Sequence, residues 1–136
     1  MTTDTISSNL AMQECIADCL HCYQTCLQTA MSHCLQVGGR HVEPEHFRLM
    51  TGCAEICRSA AHFMLSRTPM YAQVCAACAE VCSACGDSCE QIGDMDDCVQ
   101  ACRRCEQSCR RMSSGQPGIG TAGTVGVLCT DGQLAM

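Results

Sequence analysis

The residues able to do chemistry in this chain are its cysteines, seventeen of 136 residues. Between Val74 and Met112 they fall at Cys75, Cys78, Cys82, Cys85 and Cys89, then at Cys98, Cys102, Cys105 and Cys109. Gaps of three and four residues alternate, break at Gln91-Ile92-Gly93-Asp94, and resume in the same rhythm. Such spacing keeps side chains on one face of an α-helix, so two helices each carry a stripe of sulfur where a soluble bundle carries Leu and Ile. Cys15, Cys19, Cys22 and Cys26 repeat the pattern, with Cys34 further on, and Cys53 and Cys57 repeat it more thinly. Neighbours in one stripe hold their Cβ atoms roughly 5–6 Å apart, whereas a disulfide needs about 3.5–4.5 Å. They cannot cross-link without unwinding the helix, although a two-coordinate metal can bridge them.

A cysteine can be no more than a small buried hydrophobe. A core built for stability would use Leu, Ile and Val, which fill a bundle better and carry no redox liability. The substitution makes sense when the sulfur itself is used. Zinc wants a closed tetrahedron, typically from CxxC pairs on turns, and continuous helical ladders offer no discrete quartets. Iron–sulfur clusters also want quartets, and Cys75-x2-Cys78-x3-Cys82 lacks the turn-like spacing and following proline of ferredoxin runs. Copper(I) fits best, being soft, favouring thiolate and thioether, and accepting two or three ligands. If each ion takes two thiolates and each thiolate serves two ions, the capacity is roughly sixteen ions per chain. Ionised thiols cannot be buried uncompensated, so without metal they should be protonated, and each monovalent ion then replaces about one proton. An iron–sulfur or redox carrier and a zinc or thiol buffer remain the alternatives. No catalytic constellation stands apart from the ladder, and no phosphate loop or dinucleotide fingerprint is present, so an enzyme is not expected.

These stripes require a scaffold. The length suits one domain, read as an all-α, antiparallel four-helix bundle with a Cys-lined core and a Gly-rich C-terminal tail. Residues 1–8 read as a flexible leader, 9–112 as the bundle and 113–136 as the tail. The first helix, capped by Asn9 or a preceding Ser, runs to about Val37 and ends at Gly38-Gly39. Beside its cysteines a second stripe of Ile16, Leu20, Tyr23, Leu27 and Met31 follows the same period, which suggests a homo-oligomer. The second helix starts near Glu43 and Pro44. Thr68 and Pro69 should start the third, and Gly93 and Asp94 separate it from the fourth. Cys129 falls in the tail, off the pattern. The net charge of −6 and the scarcity of aromatics exclude a nucleic-acid surface. No apolar run is long enough to span a bilayer. The opening MTTDTISSNL lacks an export signal, so a cytoplasmic location is expected.

Antiparallel packing should gather Met12, Met64, Met70, Tyr71 and Met112 at one end as a closed cap. The opposite end gathers His33, Cys34, His46, Met50 and Met95, with His41 close by. This mixture of imidazole, thiol and thioether, beside Asp94, Asp96 and Asp97, reads as a metal-handling mouth. His21 and His62 lie off the seams.

Helices carrying Cys15-x3-Cys19-x2-Cys22-x3-Cys26 and Cys98-x3-Cys102-x2-Cys105-x3-Cys109 resemble those of the bacterial copper storage proteins, over roughly residues 9–112. The resemblance implies many Cu(I) ions inside each bundle and a tetramer, and without an export signal the chain looks like the cytosolic branch. A copper chaperone is a candidate partner. The sparse second helix departs from the family's pattern.

Overall fold

The computed structural model describes residues 3–114, with side chains from 6 to 113. Four helices follow one another: α1 (Thr3–Thr29), α2 (Pro44–Leu65), α3 (Tyr71–Ile92) and α4 (Asp96–Ser114). Each packs on the two next to it in the cycle α1, α2, α3, α4 and back to α1, giving a square bundle. Cross-helix sulfur pairs show that neighbours run in opposite directions: Cys15 meets Cys109 while Cys26 meets Cys102, and Cys53 meets Cys82 while Cys57 meets Cys78. The antiparallel four-helix expectation holds. The glycine-rich tail and Cys129 lie outside the described residues.

Several boundaries differ from the sequence reading. Helix α1 begins at Thr3, ahead of Asn9, so neither Asn9 nor the serines before it cap it. Its inner positions Cys22, Cys26, Ala30 and Cys34 are spaced by fours, which outrun a 3.6-residue turn. The chain absorbs the drift by widening into a π-turn over Ala30–Cys34, followed by a last α-turn, Leu35–Val37. The wider i→i+5 turn keeps Cys34 facing inward. Gly38 and Gly93 then stop α1 and α3 at φ of 71° and 87°, which Gly adopts without a Cβ clash. Thr68 and Pro69 do not start α3: Met70 takes a left-handed conformation at φ 80° and the helix opens at Tyr71. Asp94 sits at φ 64° in the turn rather than capping α4, whose first turn carries Asp96 and Asp97 against the helix dipole.

Small residues flank the sulfur stripes. Ala54, Ala60, Ala61, Ala79 and Ala101 are all nearly or wholly buried, so the helices approach closely and the sulfur atoms meet on a common axis. At Gly86 the approach of α3 and α4 leaves little room for a side chain: an added Cβ would lie 3.0 Å from Arg103 Nη1 and 3.3 Å from Cys102 Cβ. Polar contacts outside the core set the register of α4. Ser108 donates to Asp18 of α1, Arg111 pairs with Glu14 at 3.2 Å, and Arg103 reaches Asp87 at 2.7 Å and Glu90 at 3.0 Å on α3. Exposed pairs of this kind add little stability each, and their role is to select one alignment.

Candidate metal centre

All sixteen cysteines of the described residues are free thiols and buried. Their interior convergence follows from the stripe periodicity, and the disulfide framework is absent among them. Within a stripe, the Sγ separations are 3.8 Å for Cys22 and Cys26, 3.9 Å for Cys78 and Cys82, and 4.0 Å for Cys105 and Cys109. Across helices they are as short: 3.6 Å for Cys19 with Cys109, Cys19 with Cys105, and Cys57 with Cys82. Metal–sulfur bonds of roughly 2.3 Å put ligand sulfurs roughly 3.8–4.0 Å apart around a four- or three-coordinate ion. The resting thiols therefore already stand at single-ion spacing. A cubane iron–sulfur cluster interposes irons and sulfides between its cysteines, and these sulfurs are too close for that.

Three sets of four thiols and one of three have every sulfur within 4.8 Å of the others: Cys19, Cys78, Cys105 and Cys109; Cys22, Cys57, Cys82 and Cys105; Cys22, Cys26, Cys53 and Cys102; and Cys15, Cys75 and Cys109. This corrects the expectation that a ladder holds no discrete quartets. The sets are assembled between helices, where spacing along a single helix cannot show them. They also overlap, because Cys22, Cys105 and Cys109 each belong to two. A shared thiolate that bridges two ions makes the sets into one chain of sites.

Burial favours the neutral form of every thiol in the stack, while the thiols' hydrogen bonds to one another act in both senses. Cys98 is pushed up to about 12, first by its hydrogen bond with Cys26 and then by burial. Burial, with Cys89 beside it, raises Cys34. In the middle of the stack the shared S–H···S bonds act in opposite senses. Hydrogen bonds, that of Cys105 first, raise Cys57, while those from Cys109 first and then Cys19 lower Cys105. A core of this polarity and no internal cation is occupied by protons until metal displaces them.

At the loop end the π-turn presents Cys34, whose Sγ lies 3.6 Å from Met50 Sδ, 3.6 Å from Met95 Sδ and 3.8 Å from His41 Nδ1. The two histidines expected there are placed differently. His46 is buried and bonded through Nδ1 to Ser88 Oγ at 2.8 Å, with Nε2 buried and without a partner. Burial holds its imidazole pKa below the ordinary value, which favours the neutral ring. His33 is half-buried on the rim, with Nε2 3.3 Å from Asp94 Oδ2 but not aligned for a hydrogen bond, and its ring edge-on to His41. His41 is thus the imidazole that reaches Cys34. Its nearness to the first helix end was legible in the sequence, but the short 3-10 turn Gly39–Val42 that turns it inward was not. At the far end Met12 and Met64 are buried, Tyr71 and Met112 pack against the core, and Met70 is exposed, so it forms no part of that cap. His21 and His62 are exposed.

A thiol-lined helical bundle with overlapping single-ion sites defines a protein that holds soft metal ions in its interior. Comparison with known proteins agrees: the family described as copper storage protein matches residues 8–114, and the chain belongs to it. Among solved structures it is similar to the protein Nmul_A1745 of Nitrosospira multiformis, with 51% identity over 79% of this chain and 99% of that one and a TM-score of 0.78. A Cu(I)-bound copper storage protein of Bacillus subtilis, BsCsp3, is 33% identical over 76% of this chain and 98% of its own, with a TM-score of 0.69. A cytosolic copper storage protein of Streptomyces lividans, in a state with five coppers, is 33% identical over 81% and 98% of the two chains, with a TM-score of 0.70. The chain spans about half the length, 54%, of a curated cysteine-rich relative from Bacillus subtilis, with 34% identity over 66 residues. Among the described residues no helix is long and apolar enough to cross a membrane.

Proposed function

We propose that this protein stores and sequesters many Cu(I) ions on the thiolates that line its bundle, as a buffer against copper excess and without catalysis. One observation carries the reading: sixteen free, buried thiols line the bundle, and twelve of them fall into overlapping sets whose sulfurs all lie within 4.8 Å of one another. Each monovalent ion that replaces one proton leaves the buried core neutral, which a divalent ion bound by four thiolates does not. The ligands are Cys15, Cys19, Cys22, Cys26, Cys53, Cys57, Cys75, Cys78, Cys82, Cys85, Cys89, Cys98, Cys102, Cys105 and Cys109. Cys34, Met50 and Met95, joined by His41, form the mouth through which copper passes, with His33 and His46 flanking it. The acidic residues Asp94, Asp96 and Asp97 beside it attract a cation.

The location is cytoplasmic, in keeping with the cytosolic Streptomyces lividans relative. Delivery falls to a copper chaperone docking at the mouth. The assembly is a tetramer built on the outer face of α1 and its continuation to Val37, where Leu20 and Met31 of the second stripe stand 38% and 46% exposed beside Leu10 and Leu35 at 65% and 55%, while Ile16, Tyr23 and Leu27 of that stripe pack toward the core. The test is anaerobic titration of the reduced protein with Cu(I) against a chelator of known affinity. Saturation on the order of one ion per bundle cysteine is expected, and saturation at only a few ions would overturn the storage reading.

A further inference from the structure

The overlapping thiol sets divide unequally. Cys22, Cys26, Cys53 and Cys102 form the most regular of them, with five of the six sulfur separations between 3.7 and 4.0 Å and the sixth, Cys26 with Cys53, within 4.8 Å. Cys19, Cys78, Cys105 and Cys109 follow, with four of six separations between 3.6 and 4.0 Å. Tetrahedral coordination with bonds of roughly 2.3 Å has ligand edges of roughly 3.8 Å. Both quartets therefore stand close to four-coordinate geometry, and the remaining separations, Cys26–Cys53 in the first and Cys19–Cys78 and Cys78–Cys109 in the second, lie within 4.8 Å and close by small side-chain rotations.

We propose that these two quartets are discrete tetrathiolate sites for a soft or borderline divalent ion of the zinc class, filled when copper is scarce, with two ions as the ceiling for the chain. The ceiling follows from sharing. The third quartet takes Cys22 from one site and Cys105 from the other, and the trio takes Cys109, so neither can fill beside them. In each site four S–H bonds break, four metal–sulfur bonds form and four protons leave to solvent, with nothing oxidised or reduced. The filled quartet then carries two net negative charges in a core with no internal cation, a burden that monovalent filling avoids. Copper therefore displaces both divalent ions rather than adding to them. The inference goes beyond copper storage, and its test is read separately from copper capacity.

The copper-free, reduced full chain is titrated anaerobically with Cd²⁺ alone, followed by cadmium–thiolate absorption in the ultraviolet, and with Zn²⁺ alone, followed by proton release. Both titrations level at two ions per chain, with four protons released per zinc. The Cys53→Ser variant levels at one ion. Cys82→Ser, which lies outside both quartets, keeps two divalent ions although it lowers the copper capacity. A plateau at any other number for the native chain, or loss of a divalent ion in Cys82→Ser with both retained in Cys53→Ser, overturns the proposal. Should Cys53→Ser fail to show helical circular dichroism, cadmium NMR of the native chain decides: two resonances in the all-sulfur range support the two sites, and a single resonance or one shifted by nitrogen or oxygen ligands overturns them.

Discussion

Replacing Cys105 with Ser tests the bridging-thiolate arrangement at its most connected point. Cys105 Sγ lies 3.6 Å from Cys19, 3.7 Å from Cys57, and 4.0 Å from both Cys78 and Cys109. A serine hydroxyl is a hard ligand and does not replace a thiolate for Cu(I). The four neighbours left behind still have partners, because Cys19 meets Cys109 at 3.6 Å and Cys57 meets Cys78 at 3.7 Å. The variant should therefore lose only the ions that one bridging thiolate serves, about one to two of roughly sixteen, rather than breaking the string. Its hydroxyl can bond the carbonyl one turn back, as Ser108 does to Arg104 at 3.2 Å on the same helix. The cost to the apo fold is then roughly 1 kcal/mol, equivalent to a fall in Tm of about 4 °C for a domain of this size. Anaerobic chelator competition counts the ions, and helical circular dichroism with a thermal scan reports the fold. An unchanged capacity would show that Cys105 is not a ligand. A capacity halved in a folded variant would show that the sites fill as one cooperative cluster instead of a chain.

Two further outcomes follow from the site. The apo fold should lose stability as pH rises between 9 and 12: Cys98 titrates near 12 in the native state against 9.0 ordinarily, so the native chain holds more protons above pH 9 and its advantage is full below that value. Copper affinity should move the other way, rising with pH because each ion displaces about one proton; urea denaturation of the apo protein and chelator competition across that range check both signs, and parallel trends would refute the protonated-core argument. At the mouth, Cys34→Ser combined with Met95→Leu should slow copper loading by on the order of tenfold while removing only about one ion of capacity; stopped-flow transfer from a chelator reads the rate, and unchanged kinetics would place the access route elsewhere.

The periodicity of the cysteines alone determined that they share helix faces, that neighbours in a stripe stay uncrosslinked, and that the chain folds as a bundle around them. Side-chain direction in a helix depends only on residue number, so Cys75 to Cys89 and Cys98 to Cys109 could be read without coordinates. The stops at Gly38 and Gly93 were equally legible, since glycine reaches positive φ without a steric penalty. Tertiary structure decided what depends on the relative height and rotation of separate helices. It set the quartets around Cys22 and Cys105, the π-turn that brings Cys34 inward, and the turn that delivers His41 rather than His33 to that thiol. It also moved Met70 to the surface and tied His46 to Ser88. Register between helices is set by close approach at small residues such as Gly86 and by polar pairs such as Ser108 with Asp18, far apart in the chain, and so it leaves no trace in the spacing along any single helix.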